Sequence, residues 1–161
     1  MSEIDKIDLE IVKLLMQDGR MPAAEIARQV GATRQTTLSE RVVRYRIGRM
    51  RREGLISVSA IMHPRPFGYL VVADVFVEVE PALINTVAER LAAYDCVSYV
   101  ACSIGERDVS AQVVARSNEE IYAFATEVIG KMPGVRKTTT SIVPIVLKDV
   151  YQWCIPDLPE E

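Results

Sequence analysis

The feature that most constrains the fold is a change in hydrophobic periodicity at a proline-rich segment, residues 63–68 (His-Pro-Arg-Pro-Phe-Gly). Before this segment, apolar residues recur every three or four positions, as on the buried faces of amphipathic helices. After it, they alternate at every second position, as in half-buried strands. A 161-residue chain that changes period in this way predicts two small domains. We expect a first domain at 1–62, a linker at 63–69, a second domain at 70–148 and a C-terminal tail at 149–161.

The first domain has the pattern of three short helices separated by glycine-containing turns. We expect these helices to begin near Ile4, Pro22 and Ser39, and to end near Gly19, Gly31 and Gly54. Ser39 is a residue type that caps helix N-termini well, because its hydroxyl accepts a hydrogen bond from a free backbone amide. The apolar segment from Leu55 to Ile61 predicts a brief strand after the third helix. This order describes a winged helix-turn-helix.

Positive charge is concentrated on the predicted third helix. Residues 34–52 hold seven arginines against the single acid Glu40, although the whole chain has a net charge of −3. A charge run on a helix is usually a solvated surface, but this one has a single sign and directly follows a turn. Arginine donates paired hydrogen bonds to guanine and to phosphate, which favours binding of double-stranded DNA in the major groove. The expected helix places Arg41, Arg44 and Arg52 near one face, and Arg46, Arg49 and Arg51 on neighbouring faces.

The second domain has the element order β-α-β-β-α-β, which predicts a ferredoxin-like sandwich with two helices on one face of a four-stranded sheet. We expect strands at 71–80, 97–104, 109–115 and 135–147, and helices at 81–94 and from Ser117 to about Met132. Apolar residues occupy both faces of the second strand, as in Tyr99-Val100-Ala101-Cys102. A second copy of the chain is therefore expected to cover the open face of the sheet.

The sequence contains no recognisable catalytic or metal-binding pattern. It has one histidine, His63, no phosphate-binding loop and no Gly-x-Ser-x-Gly motif. Its three cysteines form no Cys-x-x-Cys pair, so we expect neither a disulfide framework nor a zinc site. No apolar run approaches the roughly 20 residues that span a bilayer, and the first residues are acidic rather than signal-like. We therefore predict a cytoplasmic protein that is not an enzyme, has no cofactor and does not associate with membranes.

The turn from Gly105 to Asp108 allows two interpretations. As an ordinary hairpin it needs only a glycine for positive φ and an aspartate for side-chain capping. As a ligand site, its backbone amides and Arg107 would hold a carboxylate. The residue chemistry alone favours neither interpretation.

Several short motifs occur in a specific order along nearly the whole chain. They are Asp-x-x-Asp (5–8), Asp-Gly-Arg (18–20), Glu-Ile-Ala (25–27), Val-Gly (30–31), Leu-Ser-Glu-Arg-Val (38–42), Glu-Gly-Leu-Ile (53–56), Gly-x-x-Asp (105–108) and Met-Pro-Gly-Val (132–135). In their order and spacing these motifs resemble the Lrp/AsnC, or feast/famine, family of bacterial and archaeal transcriptional regulators.

The resemblance implies an α+β chain in which a winged helix-turn-helix precedes a ferredoxin-like effector-binding and dimerisation domain. It implies a sequence-specific DNA-binding regulator whose assembly or DNA affinity responds to an amino acid or a related small molecule. Family members dimerise through the second domain and often form tetramers or octamers, with the effector between dimers near the Gly-x-x-Asp turn. On that basis the candidate effector contacts are Ser103, Gly105, Glu106, Arg107, Asp108, Thr138 and Thr140. The alternatives are an enzyme on the same scaffold, similar to haem-pathway decarboxylases, and a metabolite-binding oligomer without DNA binding.

Three departures from the family pattern affect these expectations. Residues 32–37 are an insertion between the second and third helices; they either lengthen the turn or start the third helix early, at Thr33. Arg107 either recruits an anionic effector or blocks the pocket through an ion pair. Gly48 interrupts the third helix at a cost of about 1 kcal/mol relative to alanine. With an early helix start included, the candidate DNA contacts are Arg34, Gln35, Thr36, Ser39, Arg41, Arg44, Tyr45, Arg46 and Arg49.

Overall fold

The computed structural model describes residues 4–149 and residue 151, and this part of the chain divides into two compact units. One unit contains residues 4–61 together with 149 and 151, and the other is Met62–Lys148. Apart from residues 149 and 151, the tail predicted at 149–161, including Trp153, lies outside the described residues. No helix in the described part of the chain is both long enough and apolar enough to cross a membrane.

The first unit is built from three helices around one apolar core. They are α1 (Lys6–Gln17), α2 (Ala23–Arg34) and α3 (Glu40–Arg52). Each helix contributes fully buried side chains, such as Ile11 from α1, Ile26 from α2 and Met50 from α3. Burying a large aliphatic side chain contributes about 1.5–3 kcal/mol, so this core sets the crossing of the helices.

Side-chain caps fix where two of these helices begin. Asp5 precedes α1 and forms a capping box with Asp8, in which each carboxylate accepts a hydrogen bond from the other residue's backbone amide. Ser39 precedes α3, and its hydroxyl accepts a hydrogen bond of 3.3 Å from the amide of Val42. The start of the third helix at Ser39 is therefore as the sequence predicts.

Gly31 does not end α2, contrary to the sequence-based expectation. The helix continues to Arg34, and Gln35 then adopts a left-handed conformation with φ of 50°. The amides of Gln35 and Thr36 both donate to the carbonyl of Gly31, the latter at 3.0 Å, so the chain turns back over that glycine. The insertion at 32–37 thus adds one turn to α2, and α3 does not start early.

The strand predicted from Leu55 to Ile61 is absent from the described chain. Leu55 and Ile56 pack partly against the helical core, and residues 57–61 are exposed without regular structure. A strand requires a partner for its backbone hydrogen bonds, and the described residues of this unit form no other strand. The helices of the helix-turn-helix are present, but residues 55–61, the predicted wing strand, pair with no other strand among the described residues.

The second unit has the predicted βαββαβ order. Its elements are β1 (Val71–Val79), α4 (Ile84–Ala92), β2 (Val97–Cys102), β3 (Val109–Ala115), α5 (Asn118–Ala123) and β4 (Val135–Ile142). Within the described residues the strands form one antiparallel sheet in the order β2-β3-β1-β4. This is the ferredoxin-like arrangement, so the predicted fold class is confirmed.

Several boundaries in this unit differ from those predicted. β2 ends at Cys102 because its last partner, Val109, is the first residue of β3. β4 ends at Ile142, shortly before Pro144, which has no amide to donate to a neighbouring strand. The second helix is regular only over α5 and continues as a π-helical turn, Phe124–Val128, and a 3-10 turn, Ile129–Lys131.

The sheet has one face covered by helices and one open face. Alternate residues of β1, including Val75 and Val77, are buried in the helix-covered core. The intervening residues Asp74, Phe76 and Glu78 lie on the open face and are only partly buried. This alternation confirms the period of two in the sequence.

The return of the chain over Gly31 predicts a destabilising Gly31→Ala substitution. Alanine normally stabilises a helix interior by about 1 kcal/mol relative to glycine. Here, however, a β-carbon would lie 2.9 Å from the backbone oxygen of Thr36. We expect the free energy of unfolding of the first domain to fall by about 1–3 kcal/mol, measured by urea denaturation.

Gly19→Ala is the matched control for this prediction. A β-carbon at Gly19 would make only ordinary contacts, 3.7 Å from the Leu15 oxygen and 3.8 Å from Val58. We expect it to change stability by less than about 0.5 kcal/mol. An increase in stability for Gly31→Ala would contradict the steric account.

Candidate functional site

Asp8 is a fully buried carboxylate that connects α1 to α3. Among the described residues it is the one buried charged side chain, with 0% exposure. Its Oδ1 accepts a hydrogen bond of 2.9 Å from Nη1 of Arg46, and its Oδ2 accepts one from Arg49. A buried carboxylate is costly unless it is paired and hydrogen-bonded, and these two arginines meet that requirement.

Asp5 extends this cluster to the surface. Nη1 of Arg46 also donates to Oδ2 of Asp5 at 2.7 Å. Burial raises the pKa of Asp5, but hydrogen bonds from the Asp8 amide and from Arg46 outweigh it and hold that pKa below the usual range. Burial likewise lowers the pKa of Arg46, whereas its bonds to Asp5 and Asp8 raise it overall. The contribution of Asp5 to stability is therefore present at neutral pH and is lost only as pH falls through its lowered pKa.

The side of α3 opposite the buried Val43 and Met50 carries a set of residues that we call the exposed face: Arg41, Arg44, Tyr45 and Arg52, which are exposed, and Gly48, which is partly buried. With 3.6 residues per turn, these positions lie on one side of the helix, away from the buried Val43 and Met50. Tyr45 is 65% exposed. Arg44 forms an ion pair with Glu40 one turn earlier, but exposed pairs of this kind contribute little and leave the guanidinium accessible.

The structure separates the arginines that the sequence groups together. Arg46 and Arg49 are directed towards α1, and their side chains are 21% and 19% exposed. Arg34 lies at the end of α2 and forms an ion pair of 3.0 Å with Glu10. Gln35 and Thr36 are exposed in the turn between α2 and α3, and the hydroxyl of Ser39 serves as the helix cap. Of the predicted DNA contacts, Arg41, Arg44 and Tyr45 form one continuous exposed group.

Two positions of the exposed face, Gly48 and Arg52, are absent from the predicted set of contacts. The sequence nevertheless contains a pattern that distinguishes the arginines directed towards α1 from the exposed ones. Asp5 and Asp8 are three residues apart on α1, and Arg46 and Arg49 are three residues apart on α3. Such spacing places each pair on one side of its helix, with charges that complement each other.

In the second unit, Asp108 provides a hydrogen-bond acceptor for a backbone amide of β1 beyond the end of β3. β1 continues to Val79, whereas its neighbour β3 begins only at Val109, which is paired with Val77, so the amide of Val79 has no strand partner on that side. Oδ2 of Asp108 accepts a hydrogen bond of 2.7 Å from that amide, and Arg136 donates to the carbonyl of Val79 at 2.9 Å. The carboxylate of Asp108 is thus already occupied by the protein.

The remaining turn residues are exposed. Ser103, Gly105, Glu106 and Arg107 are all exposed, and Gly105 has φ of 145°, which favours glycine. The guanidinium of Arg107 lies 4.2 Å from the ring centre of Phe76, on the open face of the sheet, rather than in a short ion pair.

The two predicted threonines lie on the other side of the sheet from Phe76. Thr138 is paired with Val77, and Thr140 with Val75, so their side chains share the helix-covered face with those valines. The Oγ1 atom of Thr138 is buried and has no hydrogen-bond partner among the described residues. Arg107 and the two threonines therefore lie on opposite faces of the sheet.

A cavity of about 370 Å³ lies elsewhere in this unit, between the sheet and the helical segment after α5. Its lining is largely apolar and includes Tyr69, Cys96 and Phe124. Burial raises the pKa of the Cys96 thiol. None of the predicted effector residues lines this cavity.

Two family models match the chain. The model described as the AsnC-type helix-turn-helix domain matches residues 4–51, and the model described as the Lrp/AsnC ligand binding domain matches residues 72–152. An HTH-type transcriptional regulator of Pyrococcus abyssi is 36% identical over 150 residues, which cover 92% of this chain and 91% of the relative. The HTH-type transcriptional regulator FL11 of Pyrococcus horikoshii is 33% identical over 141 residues, covering 87% and 89% of the two chains.

Solved structures have the same fold. E. coli AsnC aligns with a TM-score of 0.79 and 23% identity, covering 93% of this chain and 99% of the other. A transcriptional regulator of Neisseria meningitidis in complex with L-Met aligns with a TM-score of 0.81 and 19% identity, covering 91% and 94%.

The cluster at Asp8 predicts a large loss of stability for Asp8→Asn. This substitution leaves two partly buried guanidinium groups without their full counter-charge, so we expect the free energy of unfolding to fall by about 2–4 kcal/mol. Asp5→Asn is the matched control: it retains a capping side chain at a half-exposed position, and we expect a loss below about 1 kcal/mol. Equal losses in the two variants, measured by urea denaturation at pH 7, would contradict the anchoring role of Asp8.

Proposed function

The chain belongs to the Lrp/AsnC family of transcriptional regulators, and from this premise we propose that it recognises DNA through the exposed face of α3. In this proposal Arg41, Arg44, Tyr45 and Arg52 contact the major groove and the flanking phosphates. Arg46 and Arg49 do not touch DNA; they hold α3 against α1 in the orientation that presents the exposed face.

The observation that carries this proposal is the division of the α3 arginines into two sets. Arg46 and Arg49 are bound to the buried Asp8, whereas Arg41 and Arg52 form no ion pair or side-chain hydrogen bond within the described residues. Unpaired arginines on one face of a recognition helix provide the donors that guanine edges and phosphates accept. The charged residues of this face are all positive, so the face also attracts a polyanion, although the whole chain is acidic.

We further propose that the second domain binds an amino acid or a related small molecule at the turn 103–108. The hydroxyl of Ser103, the guanidinium of Arg107 and the backbone amides of residues 104–107 are suited to the carboxylate of such a ligand, whereas the amides of Ser103 and Asp108 already donate to backbone carbonyls. Asp108 is proposed to shape the turn through its bond to the Val79 amide rather than to contact the ligand. The relative in complex with L-Met supports an amino acid as the ligand class.

A homodimer is proposed to form over the open face of the sheet. Tyr99 on this face is 49% exposed, and the helices of the unit cover the opposite face. Packing of two such faces would remove aromatic and aliphatic surface from water, which is the usual driving force for symmetric dimers. Tetramers or octamers would then form by association of dimers, with the effector turn near the contact between them.

The DNA-binding proposal predicts that Arg41→Ala and Arg44→Ala each weaken DNA binding by about 5–150-fold, as expected for loss of one arginine contact. The measurement is fluorescence anisotropy at fixed salt, with a duplex selected from a random pool by the wild-type protein. Variants that lose a phosphate contact should also show a smaller salt dependence of the association constant.

Arg90→Ala is the matched control, because Arg90 is an exposed arginine on α4 and its removal changes the net charge equally. We expect its affinity for the duplex to equal that of the wild type. If Arg41→Ala and Arg44→Ala both bind as tightly as Arg90→Ala, the assignment of the recognition surface is wrong.

The effector proposal predicts that one or more amino acids change the solution mass or the DNA affinity of the protein, because assembly and ligand binding are thermodynamically linked. Light scattering with each of the twenty amino acids at millimolar concentration tests this. Arg107→Ala should abolish the response, whereas Lys131→Ala, an exposed cation remote in sequence from the turn, should retain it. A response that is unchanged in Arg107→Ala would contradict the proposed site.

A further inference from the structure

Gly48 lies in the middle of the exposed face of α3, and no contact within the described chain requires a glycine there. Its φ is not positive, so an L side chain is compatible with its backbone. A β-carbon built at Gly48 would meet a single atom outside the helix backbone, Nη1 of Arg52, at 3.3 Å. That atom is the tip of a long flexible side chain, which can move away at little cost.

Gly31 differs from Gly48, because the structure explains why residue 31 must be a glycine. At Gly31 a β-carbon would collide with a backbone oxygen at 2.9 Å, so the fold itself accounts for that glycine. At Gly48 the helix has the penalty of a glycine in its interior, and no residue that the structure describes makes a close approach there in compensation. Glycine in a regular element commonly marks a place where another backbone or a ligand comes close.

The surroundings of Gly48 indicate which kind of molecule would approach. Residues three and four positions away are its neighbours on the helix surface. These neighbours are Arg44, Tyr45, Arg51 and Arg52, all of them exposed. Gly48 is therefore a partly exposed backbone position without a side chain, surrounded by three cations and a tyrosine, and such a surface complements a polyanion.

We propose that the absence of a side chain at Gly48 leaves a notch, a shallow depression in the exposed face of α3. This notch lets the axis of α3 approach duplex DNA more closely than a side chain at that position would permit. The α-carbons of a helix lie about 2.3 Å from its axis, whereas side chains extend its radius to about 5–6 Å. A side chain at Gly48 would hold the helix away from the groove and lengthen the contacts of the arginines around it. This inference rests on the proposed recognition surface and adds to it a position that acts through shape rather than through hydrogen bonding.

The proposal predicts opposite changes in stability and DNA affinity for Gly48→Ala. Removal of the glycine penalty should raise the Tm of the first domain by about 4–8 °C. Affinity for the selected duplex should fall by about tenfold or more, the change that corresponds to one lengthened contact. Gly48→Leu should fold as well as Gly48→Ala and bind more weakly still, because the loss follows the volume of the side chain. Gly19→Ala, which lies outside α3, should leave affinity unchanged.

A double variant separates a direct effect on DNA approach from an effect through Arg52. The β-carbon of Gly48→Ala displaces the tip of Arg52, and this displacement alone would weaken binding if Arg52 contacts a phosphate. In an Arg52→Ala background the tip is absent, so Gly48→Ala should still reduce affinity by a similar factor. If Gly48→Ala has no effect in that background, its action runs through Arg52 and the notch is rejected.

The same titrations distinguish failure of this inference from failure of the proposed function. If Arg41→Ala and Arg44→Ala weaken binding while Gly48→Ala binds as tightly as wild type, the notch is wrong and the recognition surface stands. If none of the three variants binds more weakly than Arg90→Ala, the recognition surface itself is wrong. A stabilised Gly48→Ala protein with reduced affinity supports both.

Discussion

Two arginines of α3 donate hydrogen bonds to the carboxylate of Asp8, which is fully removed from solvent at the start of α1. An unpaired carboxylate in that position would cost several kcal/mol, so the helices pack in the one orientation that pairs it. Arg46 and Arg49 are held against α1, and Val43 and Met50 are buried in the core, so the side of α3 opposite these two apolar residues faces outward. The ion pairs and the apolar core together set the rotation of α3 about its own axis, and with it the position of the exposed face.

The second domain uses a carboxylate for a related purpose. Asp108 accepts a hydrogen bond from the amide of Val79, which lies beyond the last strand pair of β1 with β3. Asp108 also begins the return from the turn, since its own amide donates to the carbonyl of Val77 at 3.1 Å. The candidate effector turn is thereby attached to the central strand of the sheet rather than left as a free loop, which limits the conformations that a ligand would have to order.

The features that the sequence predicted correctly depend on interactions between residues that are close together in the chain. Ser39 caps α3, and the alternation of apolar residues in β1 gives the two faces of the sheet. What failed depends on contacts between distant residues. The end of α2 was misplaced because Thr36 folds back over Gly31, and residues 55–61 form no strand because the described part of their unit offers no strand to pair with. The division of the arginines was missed because the apolar stripe alone does not reveal that Asp8 is buried, although the matching spacing of acids and arginines was visible.

The arrangement of α3 has a consequence for how such a regulator diverges. Anchoring positions and outward-facing positions occur at separate places on one helix, so in the proposed mode of recognition folding and target choice are encoded by different residues. In that mode, substitutions on the outer side change what the protein recognises without drawing on the marginal stability of a small domain. Duplicated copies of the gene can therefore acquire new target sequences one residue at a time, each intermediate remaining folded, while Asp8 and its two arginines keep the scaffold constant.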